Sequence, residues 1–257
     1  MTIVPARFSA AAWTISGAVA LFAAWEGFVR WQDVRPMKLL PPSKMASAFA
    51  DTPTFYLENM WVTARHLFLG VGASLVVSVA IGALLAAFRP LEHASQPLLV
   101  LILVTPWVAY ITSIVLWLGS GGPSIVFLVA FVTVPGWVYA TVAGMRGADA
   151  AARELFRSID APRREVLFKL RLPSALPTIF TAARINLGLG LGAAYFAEGA
   201  AFTTDGLGAW GKRAAAQQLS EILWTTILCS ALLGVAAQLF VIGLERWLLR
   251  WHVSQRP

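Results

Sequence analysis

Residues 66–88 read HLFLGVGASLVVSVAIGALLAAF, an apolar run held between Arg65 and Arg89 with no Asp, Glu, Lys or Arg inside it. A helix needs about 20 mainly apolar residues to cross a hydrocarbon core of about 30 Å, so this run reads as a membrane span. Five more runs of the same kind lie along the chain, at Phe8–Phe28, Leu98–Leu118, Ile125–Met145, Thr178–Ala201 and Leu223–Leu244. Together the six take up about half of the 257 residues and leave no soluble core of useful size. The fold class expected is an all-α membrane protein with about six transmembrane helices.

Composition agrees. Apolar residues make up 58% and charged ones 13%, against about 45–50% and about 25% in soluble domains. The net charge of +7 is spread through a very apolar chain, which does not suit a nucleic-acid binder. Cys229 is the single cysteine, so no intrachain disulfide can form, and His66, His93 and His252 are too far apart in sequence to suggest a metal cluster. The first run could be read as a cleaved signal peptide, with Arg7 before it and Ala18, Ala20, Ala23 and Ala24 within it. It continues, however, through Trp25, Glu26 and Phe28 to the interfacial pair Arg30 and Trp31.

Orientation follows from the basic residues. With the N-terminus inside, Arg7, Arg89, Arg146, Arg153, Arg157, Arg163, Arg164, Lys169, Arg171, Arg246, Arg250 and Arg256 are cytoplasmic. Arg30, Arg35, Lys38, Lys44, Arg65, Lys212 and Arg213 are then outside, and the positive-inside rule selects this arrangement with both termini cytoplasmic. The chain divides into an N-terminal span over 1–32, a periplasmic segment over 33–65, a core over 66–250 and a tail over 251–257. The periplasmic segment reads either as a linker or as carrying a short interfacial helix.

Within the core, residues 147–176 form the largest cytoplasmic connection. Leu155, Phe156 and Ile159 make one apolar stripe, and Val166, Leu167 and Leu170 a second with the same spacing. Asp160, which tolerates a left-handed backbone and can cap a following helix, stands between them, and Pro162 suits a first helical turn. This is helix, sharp turn, helix. It reads equally as an amphipathic hairpin on the anionic inner leaflet or as a docking element.

The segment resembles the EAA loop of bacterial ABC-importer permeases. Glu154-Leu155-Phe156 stands where that loop has Glu-Ala-Ala, Asp160 where it has Gly, and Leu172-Pro173-Ser174-Ala175-Leu176-Pro177 at its Leu-Pro-x-x-x-Pro terminus. Leu39-Leu40-Pro41-Pro42-Ser43, Trp117-Leu118-Gly119-Ser120-Gly121-Gly122, Ala183-Arg184-Ile185-Asn186-Leu187-Gly188-Leu189-Gly190, Ala197-Glu198 with Gly206-Leu207-Gly208, and Glu245-Arg246-Trp247 follow the order of permeases in the nitrate/sulfonate/taurine group. The resemblance implies a type I (MetI-like) importer permease in a bacterial inner membrane. It implies a homodimer, two copies of a cytoplasmic ABC ATPase docked on each Glu154, Leu155, Phe156, Ile159, Asp160, Ala161 and Arg163, and a periplasmic substrate-binding protein. The solute implied is a small anion such as a sulfonate, taurine, nitrate or bicarbonate, with a pyrimidine-type vitamin precursor as the alternative. ATP and Mg belong to the ATPase: this chain has no Gly-x-x-x-x-Gly-Lys-Ser/Thr loop and no expected cofactor or metal of its own.

Polar groups at bilayer depth are costly and mark places of interest. Glu198 reads either as an interfacial carboxylate in water or as a gate or structural contact at the pathway mouth. Arg184 is expected to snorkel to the inner surface, and Asn186 is a pathway candidate beside it. Gly188 and Gly192 form a small-x-x-x-small face suited to close helix packing. Thr105, Tyr110 and Thr112 surround Pro106 in the third run and suit either pore lining or interhelical hydrogen bonds. Glu26 has no evident partner. An intramembrane protease of rhomboid type would need Gly-x-Ser-Gly on a span, and Gly119-Ser120-Gly121 lacks the first Gly. A lipid-bound scaffold is the remaining class, distinguished by having no ATPase partner.

Overall fold

The computed structural model describes residues 6–201 and 203–250, with side chains from residue 12 onward. The side chains of Arg7 and Phe8, the tail over 251–257, and with it His252 and Arg256, lie outside the described residues. Among the described residues every regular element is helical. They are α1 (Ala6–Trp31), α2 (Pro42–Asp51), α3 (Pro53–Ala87), α4 (Arg89–Val104), α5 (Tyr110–Leu118, after a 3₁₀ turn at Trp107–Ala109), α6 (Gly122–Arg146) and α7 (Ala150–Ser158). A short α8 (Arg163–Glu165) passes through a π-helical segment (Val166–Arg171) into α9 (Leu172–Ala200), and α10 (Leu207–Ala216) and α11 (Ser220–Leu248) complete the chain.

Among the described residues five helices are long and apolar enough to span a membrane, and a sixth span arises if α4 and α5 count as one. The packing directions say that they do. Gly70 of α3 faces Val129 of α6 and Gly82 faces Thr141, so α3 and α6 run parallel. Arg146 at the end of α6 meets Glu92 at the start of α4, its Nη1 donating to Oε1 at 2.7 Å. The chain therefore leaves α3 at one face and must re-enter α6 from the other, and α4 with α5 is the stretch that carries it back. α9 is antiparallel to α6, with Asn186 against Gly136 and Ala175 against Gly144. α11 is antiparallel to α9, with Arg184 bonded to Glu245 and Tyr195 near Thr226. The end of α11 thus lies on the face that carries α7, and the end of α1, where Trp25 meets Trp224 near the start of α11, lies toward the other.

The expected third span at Leu98–Leu118 is not one straight helix. It breaks at Thr105 and Pro106 with a bend of 82°. Proline lacks the N–H that would continue the helix and drives the residue before it out of the α region, and Thr105 is extended at φ −72°, ψ 129°. A second departure is at α3, which begins at Pro53 instead of near His66. Its 35 residues reach about 52 Å at 1.5 Å each, longer than the bilayer core. Within residues 33–65 a short helix, α2, forms with Met45 and the preceding Leu40 buried, and it packs on α11.

The core lies where α6 is clasped between α3 and α9. Leu67, Val71, Leu128, Val129, Leu187, Ala193 and Ala197 are its buried centre. Small residues allow the approach: a Cβ on Gly144 would stand 2.6 Å from Cα of Ala175. Hydroxyls cross-link the same helices, Ser74 to Thr133 at 2.7 Å and Ser78 to the carbonyl of Val134 at 3.2 Å. Such bonds replace water where none is present. α1 lies at the periphery, with almost none of its span covered.

Candidate functional site

Two regions concentrate unusual groups, one on each face. On the first, the Asp149 carboxylate accepts from the Ala152 N–H at 2.8 Å and starts α7. The helix ends when Asp160 turns left-handed at φ 48°. The Asp160 N–H donates to the Arg157 carbonyl and the Ala161 N–H to the Phe156 carbonyl, each at 3.0 Å, which is the Schellman closure. The sharp turn expected at Asp160 is therefore present. Its second expected role is not: α8 starts at Arg163, with Pro162 at the N-cap position and no side-chain cap.

The two amphipathic pieces have different fates. Leu170 is buried and Leu167 packs against the core, so the second stripe is held by the protein itself. No residue of α7 is buried. Leu155 is 60% and Ile159 64% exposed, and Phe156 is half-buried beside a groove of about 360 Å³ that Arg153, Arg157, Asp160 and Arg171 also line. Glu154 and Arg163 are exposed and Ala161 partly so.

At the opposite face, Glu198 corrects the reading of an interfacial carboxylate in water: it is wholly buried. Its Oε2 accepts from the Thr63 hydroxyl and the Gly208 N–H, each at 2.9 Å, and Oε1 lies 2.8 Å from His66 Nδ1. Thr63 Oγ1 accepts from the Leu207 N–H at 2.9 Å, and Asn59 Oδ1 from the Gly206 N–H at 2.7 Å. Gly206, at φ 111°, turns the chain directly over the carboxylate. The outcome is a structural lock tying α9 and the start of α10 to α3. Asn59, Thr63 and His66 were not singled out from the sequence, although their i, i+4, i+7 spacing puts them on one helical face.

Other site residues are placed as follows. Asn186 is buried at the α6–α9 contact with its Oδ1 against Gly136, and its Nδ2 has no hydrogen-bond partner among the described residues. Gly188 and Gly192 have nothing packed on them, and Gly190 is the glycine set against Leu67, Val71 and Val129. Arg184 pairs with Glu245 near the α7 face. The Thr105 hydroxyl donates to the Leu101 carbonyl at 2.8 Å, the Tyr110 ring meets Phe131 edge-on at 5.1 Å, and Thr112 is exposed. Glu26, left without a partner by the sequence, accepts from Arg30 Nε at 2.6 Å and from the N–H and hydroxyl of Ser43 at 3.0 and 2.7 Å.

Residues 78–250 match the family model described as binding-protein-dependent transport system inner membrane component. The taurine transport system permease protein of Escherichia coli (strain K12) is 24% identical, covering 93% of this chain and 89% of that protein. The formylaminopyrimidine transport permease protein of Halalkalibacterium halodurans is 26% identical, covering 91% and 94%. A putative aliphatic sulfonates transport permease protein of Bacillus subtilis (strain 168) is 28% identical, covering 76% and 69%. Among solved structures, a chain of the MetNI methionine ABC transporter in inward-facing conformations superposes with a TM-score of 0.64 at 19% identity, over 76% of this chain and 97% of that one.

Proposed function

We propose, from the premise that this chain belongs to the family of binding-protein-dependent transport system inner membrane components, that it pairs with a second copy of itself to form the pathway for a small anion. The family makes it a multi-pass permease subunit of an ABC importer and not an enzyme, working with a separate ATPase and a substrate-binding protein. The proposal adds that two ATPase copies, holding ATP and Mg, dock on the α7 face. That face is then cytoplasmic, both termini with it, in a bacterial inner membrane. Residues 147–176 are the coupling segment of a core over 66–250. Thr105, Tyr110 and Thr112 on the broken span remain pathway candidates.

The observation that carries this is the open stripe of α7. Leu155 and Ile159 stay exposed although the adjoining stripe is packed away, and the Schellman turn fixes the angle at which they are presented. Exposed apolar groups in a charged, capped helix suit a partner's groove. A sulfonate, taurine, nitrate or bicarbonate is supported by the printed functions of relatives. The formylaminopyrimidine relative, aligned over 91% of this chain, favours a vitamin precursor as the second reading.

Two experiments test it. Phe156→Ala should leave the permease folded and dimeric in detergent while weakening ATPase association by about 1–4 kcal/mol, the usual range for a buried interface aromatic, and abolishing uptake. Full uptake would mean that the stripe rests on lipid. A cysteine replacing Ser158 should react with an impermeant thiol reagent only in inside-out vesicles, and one replacing Thr204 only from the outside. Reversed labelling overturns the orientation.

A further inference from the structure

Beside the Glu198 lock, on the face opposite α7, a cavity of about 350 Å³ opens between α3, the α5–α6 turn and the turn before α10. Volumes from about 300 Å³ upward are typical of small-molecule sites. Arg65 lines it, exposed and with no ion pair or hydrogen bond to any described residue. His66 is 5% exposed. Its Nδ1 is engaged by Glu198, whereas Nε2, which also borders the cavity, has no hydrogen bond within the described chain. α6 begins at Gly122 on the same wall, so its first N–H groups and the positive end of a 25-residue helix face this region. A Cβ at Gly122 would stand 3.3 Å from His66 Nε2. The missing side chain is what leaves the ring nitrogen open. The remaining charge is Asp205, which accepts from the Thr204 hydroxyl at 2.9 Å and also lines the cavity.

We infer that this cavity is the permease's own binding site for a small zwitterion, with an oxyanion head held by Arg65, His66 Nε2 and the start of α6, and an ammonium tail matched by Asp205. The inference rests on the reading of the solute as a small anion and narrows it. A guanidinium is a strong, charge-assisted donor to an oxyanion, and an imidazole Nε2–H beside it adds a second donor. Asp205 offsets Arg65, so the lining disfavours a dianion and favours a solute that brings its own positive charge. Glu198, buried behind His66, is already satisfied by Thr63, Gly208 and the ring, and so orients the imidazole without facing the solute.

The test uses the permease–ATPase complex in lipid nanodiscs without its binding protein, and radiolabelled taurine as the probe. Saturable binding is expected, with ethanesulfonate and sulfate as weaker competitors. Arg65→Gln should weaken it about tenfold or more, the scale of one charge-assisted contact. Gly122→Ala should weaken it at an unchanged melting temperature, and Asp205→Asn should erase the preference for taurine over ethanesulfonate. Absence of saturable binding, or binding unaltered by Arg65→Gln and Gly122→Ala, overturns the site. So does an Arg65→Gln effect confined to capture of the binding protein, which would make Arg65 a docking residue. Uptake by the wild-type complex with its binding protein separates the two levels. Import of taurine without binding to the permease removes the site and leaves the proposed function, whereas import of a pyrimidine precursor and of no small anion removes both.

Discussion

The two faces of this permease treat their unusual groups in opposite ways. At the Glu198 lock nearly every polar group is used within the chain: the buried carboxylate meets the Thr63 hydroxyl, the Gly208 N–H and the His66 ring, the Thr63 hydroxyl both gives a hydrogen bond and receives one, and His66 Nε2 is left to the cavity. At α7 the apolar stripe, Glu154 and the arginines of the groove are left open. A region that satisfies itself contributes to stability, and one that does not is completed by something else. The difference separates residues needed to fold from residues needed to work, although both sets look exceptional in an apolar sequence.

The contrast can be broken most severely at Glu198. Each buried donor left without a partner costs about 1–3 kcal/mol, and Glu198→Ala orphans the Thr63 hydroxyl, the Gly208 N–H and the His66 ring together. Little folded protein should be recovered, as read by size-exclusion profile and melting temperature, while Glu198→Gln keeps part of the network and falls between. Next comes the open stripe: Leu155→Ala with Ile159→Ala should leave the melting temperature unchanged, because neither side chain is buried, and still lower ATPase co-purification. If the melting temperature drops instead, the stripe is packed and the contrast fails.

The turn gives a smaller effect. A β-branched residue at positive φ is strained by about 1–2 kcal/mol, so Asp160→Val should misdirect α7 and reduce uptake at matched membrane abundance. Asp160→Gly, which relieves the left-handed strain, should change uptake least of all. Equal activity in the two variants would show that the turn's hand is immaterial to coupling. Equal loss would assign the role to the carboxylate.

Much of the architecture was legible because bilayers impose a simple rule on length and hydropathy, and the left-handed turn was legible because Asp160 and Pro162 are local signals. The fate of the two stripes was not. Both have the same spacing, and only the folded chain reveals that Leu170 finds a core and Ile159 does not. The break at Pro106 was visible as a proline, but its 82° bend depends on what α5 packs against, chiefly α6. Two of the partners of Glu198 lie 132 and 135 residues away, and the Ser43 partner of Glu26 lies 17 residues on, across an intervening loop. Periodicity reports which face of a helix is apolar and says nothing of which distant side chain will meet it.

That long separation has a consequence for biosynthesis. Chains lengthen at about 5–20 residues per second, so His66 and Thr63 leave the ribosome roughly 7–27 seconds before Glu198 does. During that interval α3 and α6 can already have met through Gly70 and Gly82, but Thr63 and His66 lack the Glu198 carboxylate and Asn59 Oδ1 lacks the Gly206 N–H. The lock closes only when α9 has threaded back and Gly206 has turned the chain over the carboxylate. A nascent permease that stalls before residue 198 therefore leaves Thr63 and His66 without the carboxylate they meet in the folded chain.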